Sequence, residues 1–161
     1  MSRIIDDTDV QILDMLQSNA RVTQSDIAKA VGLAPSAVLE RLRKLEAKGI
    51  VQEFTARVDP RAVDLGLLAY VSVRSSEHGS EMPSAVALSE IPEVLELHHV
   101  AGDDCYLLKV RARDAEHLGQ LLRTRIASIP TVTSTRTTIV LETVKESSKL
   151  PLGGRGTVNG G

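Results

Sequence analysis

An α+β fold in two parts is predicted by three observations on the 161-residue chain. Three short stretches with helical spacing of apolar residues crowd the segment from 6 to 49. Beyond residue 67 the pattern changes to β-branched runs and helical runs in the order β-α-β-β-α-β. Between them, Asp59-Pro60 and Gly66 mark a break. The expected organisation is a winged or helix-turn-helix three-helix domain over 1–58 and a linker over 59–66. A ferredoxin-like βαββαβ domain follows over 67–145, and a disordered tail over 146–161.

The first helical stretch, 6–18, opens with acids that suit a helix N-terminus and then places Val10, Ile12, Leu13 and Leu16 on one stripe. The second, 23–33, has Thr23 followed three residues later by Asp26, a capping-box pattern, with Ile27, Ala28 and Val31 as its apolar face. Gly32 gives a tight turn into the third, 34–49. Pro35 suits the first helical position and Gly49 a left-handed stop. Val38, Leu42 and Leu45 recur at i, i+4 and i+7. At ~100° per residue this puts Ser36, Glu40 and Arg43 on the opposite side, with Lys44 flanking. A short helix, a Gly-containing turn and a second helix form a helix-turn-helix, whose second helix can enter a major groove.

Residues 50–58 have strand propensity, with Val51, Phe54 and Val58 as packing positions. In the second part, 67–74 reads as a strand, 75–81 as a polar loop and 82–90 as a helix. Strands over 94–101 and 105–112 are joined by Gly102-Asp103-Asp104, where Gly and Asp would supply positive-φ positions. A helix over 114–128 is capped by Asp114, and 132–144 is a long strand. Helices cover one face of such a sheet. The other would carry Leu107, Lys109, Thr135 and Thr137, and a second copy of the chain is the economical cover for its apolar part. The tail ending GGRGTVNGG has too few apolar residues to fold.

Composition narrows the function. The net charge is −2, so any nucleic-acid binding comes from a local patch and not from the whole-molecule field. With no Trp, one Phe and two Tyr, base-stacking platforms for single strands are disfavoured. The single cysteine, Cys105, excludes an internal disulfide and a cysteine-cluster metal site. His98 and His99 are neighbours on a strand and face opposite ways, so they do not make a metal site. No signal-like or membrane-spanning run is present, and a soluble cytoplasmic protein is expected. There is no Ser-His-Asp set, no paired carboxylates in a polar pocket and no phosphate-cradling glycine loop, so no catalytic residues and no cofactor are expected.

The run IDDTDVQILDMLQSNARVTQSDIAKAVGLAPSAVLERLRKLEAKGIVQEFTARVDP resembles the head of the Lrp/AsnC, or feast/famine, regulators. VAGDDCYLLKV followed by SIPTVTSTRTTIVL resembles their effector domain, so the likeness spans about residues 5–145. It implies a homodimer, often stacked into tetramers or octamers, that binds double-stranded DNA and is controlled by a small effector, commonly an amino acid. The effector position it implies lies between dimers at Val100, Gly102, Asp103, Asp104 and Cys105. Ser134, Thr135 and Thr137 would join them from a neighbouring strand or subunit. Three positions depart from the family pattern: Ala34 stands where a capping Ser or Thr is usual, Cys105 where an acid is usual, and Thr131 where Gly is favoured.

On the DNA side, Thr23, Gln24, Pro35, Ser36, Ala37, Glu40, Arg43 and Lys44 are the expected contacts. Arg can pair bidentately with guanine, Glu40 can accept from cytosine, and Lys44 and the Thr23 helix start can hold phosphates. Arg41 lies nearer the apolar stripe, where a phosphate contact competes with an internal hydrogen bond. The bland readings are a solvated charged face for the helix, a plain turn for Gly102–Asp104, and a small buried hydrophobe for Cys105. The function expected is a sequence-specific transcriptional regulator. The alternatives are an enzyme or regulatory subunit of amino-acid metabolism, and a ligand-independent architectural DNA protein.

Overall fold

The computed structural model describes residues 4–77 and 82–152, which divide into two compact units. The first joins the described residues up to Arg57 with those from Glu146 onward; the second runs from Val58 to Lys145.

The first unit holds α1 (Asp7–Ser18), α2 (Gln24–Val31) and α3 (Pro35–Ala47). A reciprocal capping box starts α1. The Asp9 N–H donates to the Asp6 carboxylate at 2.8 Å, and the Asp6 N–H donates to Asp9 at 3.2 Å. At α2 only half of the expected box forms. The Asp26 N–H donates to the Thr23 hydroxyl at 3.1 Å, and that hydroxyl donates to the Asp26 side chain at 2.6 Å. Gly32 ends α2 at φ 69°. Ala34 provides no side-chain cap for α3. Gly49, at φ 66°, closes it in a Schellman turn: Ile50 N–H donates to the Leu45 carbonyl and Gly49 N–H to that of Glu46, both at 2.9 Å. Ile12, Ile27, Ala28, Val38 and Leu42 meet in the core, ringed by Met15, Leu16, Val22, Val31 and Leu33.

Two expectations change here. Residues 50–58 form no strand among the described residues, and Phe54 and Val58 stay exposed. β-propensity requires a paired neighbour, and this unit supplies none. Residues 146–152, expected to be disordered, are tied to the head. The Gln17 side-chain amide makes two hydrogen bonds with the Leu150 backbone, at 2.7 and 3.1 Å. Lys149 reaches Ser18 at 2.7 Å and Asp14 at 3.2 Å, and Arg57 holds Glu146. Low apolar content fails as a guide because the attachment is polar. The rest of the expected tail, 153–161, lies outside the described residues.

The second unit begins with a 3-10 turn, Pro60–Val63, within the expected linker, capped by the Asp59 side chain. Four antiparallel strands follow: β1 (Leu67–Ser75), β2 (Val94–His99), β3 (Tyr106–Ala112) and β4 (Val132–Ile139), in the spatial order β2-β3-β1-β4. With α4 (Pro83–Ser89) and α5 (Ala115–Leu121) this is the ferredoxin-like order. Residues 78–81, part of the expected polar loop, lie outside the described residues. Ala69, Val71 and Val73 of β1 and Tyr106, Leu108 and Val110 of β3 pack with Leu88 of α4 and Leu118 and Leu121 of α5.

The register corrects one face assignment. Thr135 sits opposite Val73 and Thr137 opposite Val71, so both share the face of the helix-packed valines. The open face instead carries Leu107, Lys109, Tyr70 and Ser72 with Ser134 and Arg136. Lys109 is nearly buried there and pairs with Glu96 at 3.1 Å. The helix expected over 114–128 starts as anticipated at Asp114, but its last turn widens into a π-helical segment, Leu122–Ile126. β4 stops at Ile139, five residues short of the expected end, and Leu141 and Val144 are almost fully exposed.

Candidate functional site

In the head, burial of Val38, Leu42 and Leu45 fixes the rotation of α3. That leaves Pro35, Ser36, Glu40, Arg43 and Lys44 exposed and Ala37 half-buried. Thr23 and Gln24, at the start of α2, are also exposed, and α2 packs on α3. Glu40 and Lys44 form an i,i+4 ion pair at 2.7 Å. The hydrogen bond from Lys44 holds the Glu40 carboxyl below its ordinary range. Arg43 has no ion pair or hydrogen bond among the described residues and points its charge to solvent. A hollow of about 320 Å³ follows the flank of α3 past Glu40, Lys44 and Lys48.

Arg41 is turned inward. Its guanidinium donates to Asp6 at 2.7 Å and to Asp9 at 2.8 Å, so the internal bond, not a phosphate contact, occupies it. The Asp9 backbone N–H and then Arg41 lower the Asp6 pKa, and the two carboxylates raise that of Arg41. The capping box on α1 and this clamp use the same two acids. The Asp-x-x-Asp spacing was the sequence signal for both.

In the second unit, the β2–β3 connection closes with Val100 N–H donating to the Cys105 carbonyl at 3.0 Å. Gly102 takes φ 125°, whereas Asp103 and Asp104 keep negative φ, contrary to expectation. The Asp104 carboxylate reaches across to Arg136 of β4 at 2.8 Å, and Arg74 Nε donates to the Asp103 carbonyl at 3.1 Å. Cys105 Sγ is occupied by the Ser75 backbone, 3.4 Å from its nitrogen. Asp104 and Ser134 therefore lie on the Arg136 side, while Thr135 and Thr137 project from the other face. Arg136 and Arg74 were missed. Residues 134–137 read as one polar run, and only strand parity separates Arg136 and Ser134 from the threonines.

The same unit holds a half-buried polar knot. Ser84 Oγ bonds to Thr131 Oγ1 and lies 3.2 Å from Ser75 Oγ, and Glu77 accepts from the Ser84 N–H. The Tyr106 hydroxyl donates to Glu77 at 2.8 Å. Burial, and then the adjacent Glu77, push the Tyr106 pKa up to about 12. Burial acts to raise the Glu77 pKa, yet its hydrogen bonds outweigh that and leave it lowered. Among the described residues no cluster of His, Cys, Asp and Glu could hold a metal ion, and no helix is long and apolar enough to cross a membrane.

An exposed second helix in a helix-turn-helix, with an α/β sheet unit after it, defines a DNA-binding regulator. Residues 5–52 match the family model for a winged helix-turn-helix DNA-binding domain, and residues 68–150 match the Lrp/AsnC ligand binding domain. The chain is 36% identical to the HTH-type transcriptional regulator FL11 of Pyrococcus horikoshii, covering 92% of this chain and 97% of the relative. It is equally 36% identical to the leucine-responsive regulatory protein of Escherichia coli K12, covering 91% and 90%. A transcriptional regulator of Neisseria meningitidis solved with L-methionine superposes with TM-score 0.83 at 32% identity, over 92% of this chain and 97% of that one. The feast or famine regulatory protein of M. tuberculosis complexed with L-methionine gives TM-score 0.83 at 36% identity, over 90% and 97%. The chain belongs to the Lrp/AsnC family of transcriptional regulators.

Proposed function

We propose that α3 reads duplex DNA sequence in the major groove and that a second copy of the chain supplies the paired head. The observation that carries this is the division of α3. Its apolar stripe is fully committed to the core, and Ser36, Glu40, Arg43 and Lys44 stand free of it. Thr23 and Gln24 at the start of α2 are placed to meet phosphates. Exposed Phe54 and Val58 and the open sheet face around Tyr70 and Leu107 support a homodimer, and further stacking of dimers is compatible with it.

The effector is a free amino acid. It binds between copies at Val100, Gly102, Asp103, Asp104 and Cys105, with Ser134, Thr135 and Thr137 contributed across the contact. The relatives solved with L-methionine support this class, and the opposed faces of Ser134 and the two threonines favour a site that draws on more than one protomer. The ligand acts by preferring one assembly and so respacing the heads along the DNA.

Gel-shift titration at fixed salt tests the DNA reading, on a site found by genome-wide mapping of bound DNA. Arg43→Ala should weaken binding about tenfold or more, the worth of one bidentate base contact, with the head still folded. Unchanged affinity removes Arg43 from the interface. A thermal-shift series with free amino acids tests the effector: a true ligand at a hundredfold excess adds about 2.7 kcal/mol. A flat series favours the architectural alternative.

A further inference from the structure

A second concavity lies within one protomer's effector unit, away from the hairpin loop. It measures about 210 Å³ and is walled by Glu93 before β2, Arg113 after β3, and His117, Gln120, Thr124 and Arg125 from α5 and the π-helical turn. Its chemistry is unbalanced in both directions. Glu93 Oε2 is buried and accepts no hydrogen bond, and its nearest cationic-capable neighbour, His117 Nε2, is 3.6 Å from Oε1, beyond hydrogen-bond reach. His117 cannot swing to meet it. Its Nδ1 accepts the Arg113 backbone N–H at 3.2 Å, and its own backbone N–H is held by Asp114 at 2.8 Å. That bond places the ring proton on Nε2, on the side of Glu93. The Arg113 and Arg125 guanidinia, on residues that line the same hollow, have no hydrogen-bond or ion-pair partner among the described residues.

A buried carboxylate oxygen without a hydrogen bond is costly, and such groups in folded proteins call for an explanation. The helix wall is itself unusual. Ala127 N–H donates to the Leu122 carbonyl at 2.8 Å, an i to i+5 bond that widens the turn bearing Thr124 and Arg125. Single π-helical turns occur disproportionately at functional sites. A simple anion in the hollow would meet Glu93, and a simple cation would meet two guanidinia. A dipolar molecule satisfies both. Two guanidinia against one carboxylate leave a surplus positive charge on the wall, which a second acidic group on the ligand would neutralise.

We propose that this cavity binds a small acidic zwitterion, with its ammonium at Glu93 and its carboxylates at Arg113 and Arg125. The site is separate from the effector position at the hairpin loop and is complete within one chain.

Isothermal titration of the full chain with L-glutamate tests it, with glutarate lacking the ammonium and butylamine lacking the carboxylates. L-glutamate should bind, and both truncated probes should be weaker by about tenfold or more, the loss of one charge-assisted contact. Glu93→Gln and Arg125→Ala should each weaken L-glutamate by a similar factor, whereas Gly102→Ala in the hairpin loop should not. Arg125 is exposed, so its variant keeps the test sound even if the Glu93 variant fails to fold. No binding by the wild-type chain, glutarate as tight as L-glutamate, or full binding by Arg125→Ala would each overturn the proposal. Loss in the Gly102 variant alone would also overturn it, and would assign the ligand to the loop.

Discussion

Arg41 shows how one side chain on a binding helix can belong to the fold. It links α3 to both acids that cap α1, so removing it uncouples two helices and leaves Asp6 and Asp9 without their cation. Arg41→Ala should lower the stability of the head by about 1 kcal/mol, a modest figure because Asp6 and Arg41 are both partly exposed. Denaturant unfolding would measure it. The pH dependence follows from the lowered Asp6 pKa. Its stabilisation is complete above the ordinary carboxylate range and is lost as pH falls through the folded pKa. The wild-type head should therefore lose more stability on acidification than Arg41→Ala, and parallel acid unfolding curves would refute this. Tyr106 has the opposite sense. Its pKa is raised to about 12, so the stabilisation is present below pH 10 and declines as pH rises through the folded value. Ultraviolet titration of a Tyr70→Phe chain should find the remaining phenol ionising near 12. Tyr106→Phe should cost about 1–2 kcal/mol, since it leaves half-buried Glu77 short of one donor.

At the scale of elements, α3 is the one helix of the head that starts without a side-chain cap. Its stop is a complete Schellman turn, but its N-cap is Ala34, with no side-chain bond. Ala34→Ser should stabilise the head by about 1 kcal/mol, read as a higher melting temperature. The helices of the head were legible because apolar spacing and caps act within a few residues. The strand expected over 50–58 was not, because a strand is a relation between two segments and the sequence of one does not say whether the other is there. The same limit affected β4. Its β-branched run continues past Ile139, but the ladder with β1 closes at the Ala69–Ile139 pair, and beyond it β4 has almost no β1 left to pair with, since that strand begins at Leu67. Strand parity then decided the candidate site: it put Arg136 beside Asp104 and turned Thr135 and Thr137 away.

For the whole molecule, the C-terminal segment is the main departure from expectation. Residues 146–152 return to α1 through Gln17, Ser18 and Asp14. A chain ending at Lys145 should unfold its head at lower denaturant by about 1–2 kcal/mol, the sum of a few exposed polar contacts. Unfolding curves that coincide with those of the full chain would show the segment to be energetically idle. The open sheet face, with Tyr70 and Leu107 around the Lys109–Glu96 pair, gives a prediction about assembly. Tyr70→Asp should shift the sedimenting species toward monomer while the unit's own core, on the other face, keeps its circular dichroism.

By itself the sequence determined the helix-turn-helix, the βαββαβ order and the exposed face of α3, because each follows from periodicity and from caps and turns a few residues long. Only the tertiary structure decided the partner of Arg41, the Asp104–Arg136 bridge, the return of 146–152 and the gathering of Glu93, Arg113 and Arg125 around one hollow. Each of these joins residues far apart in the chain or depends on which side of a strand a side chain leaves. Such pairings are set by the register and packing of elements already formed, and no local pattern encodes them.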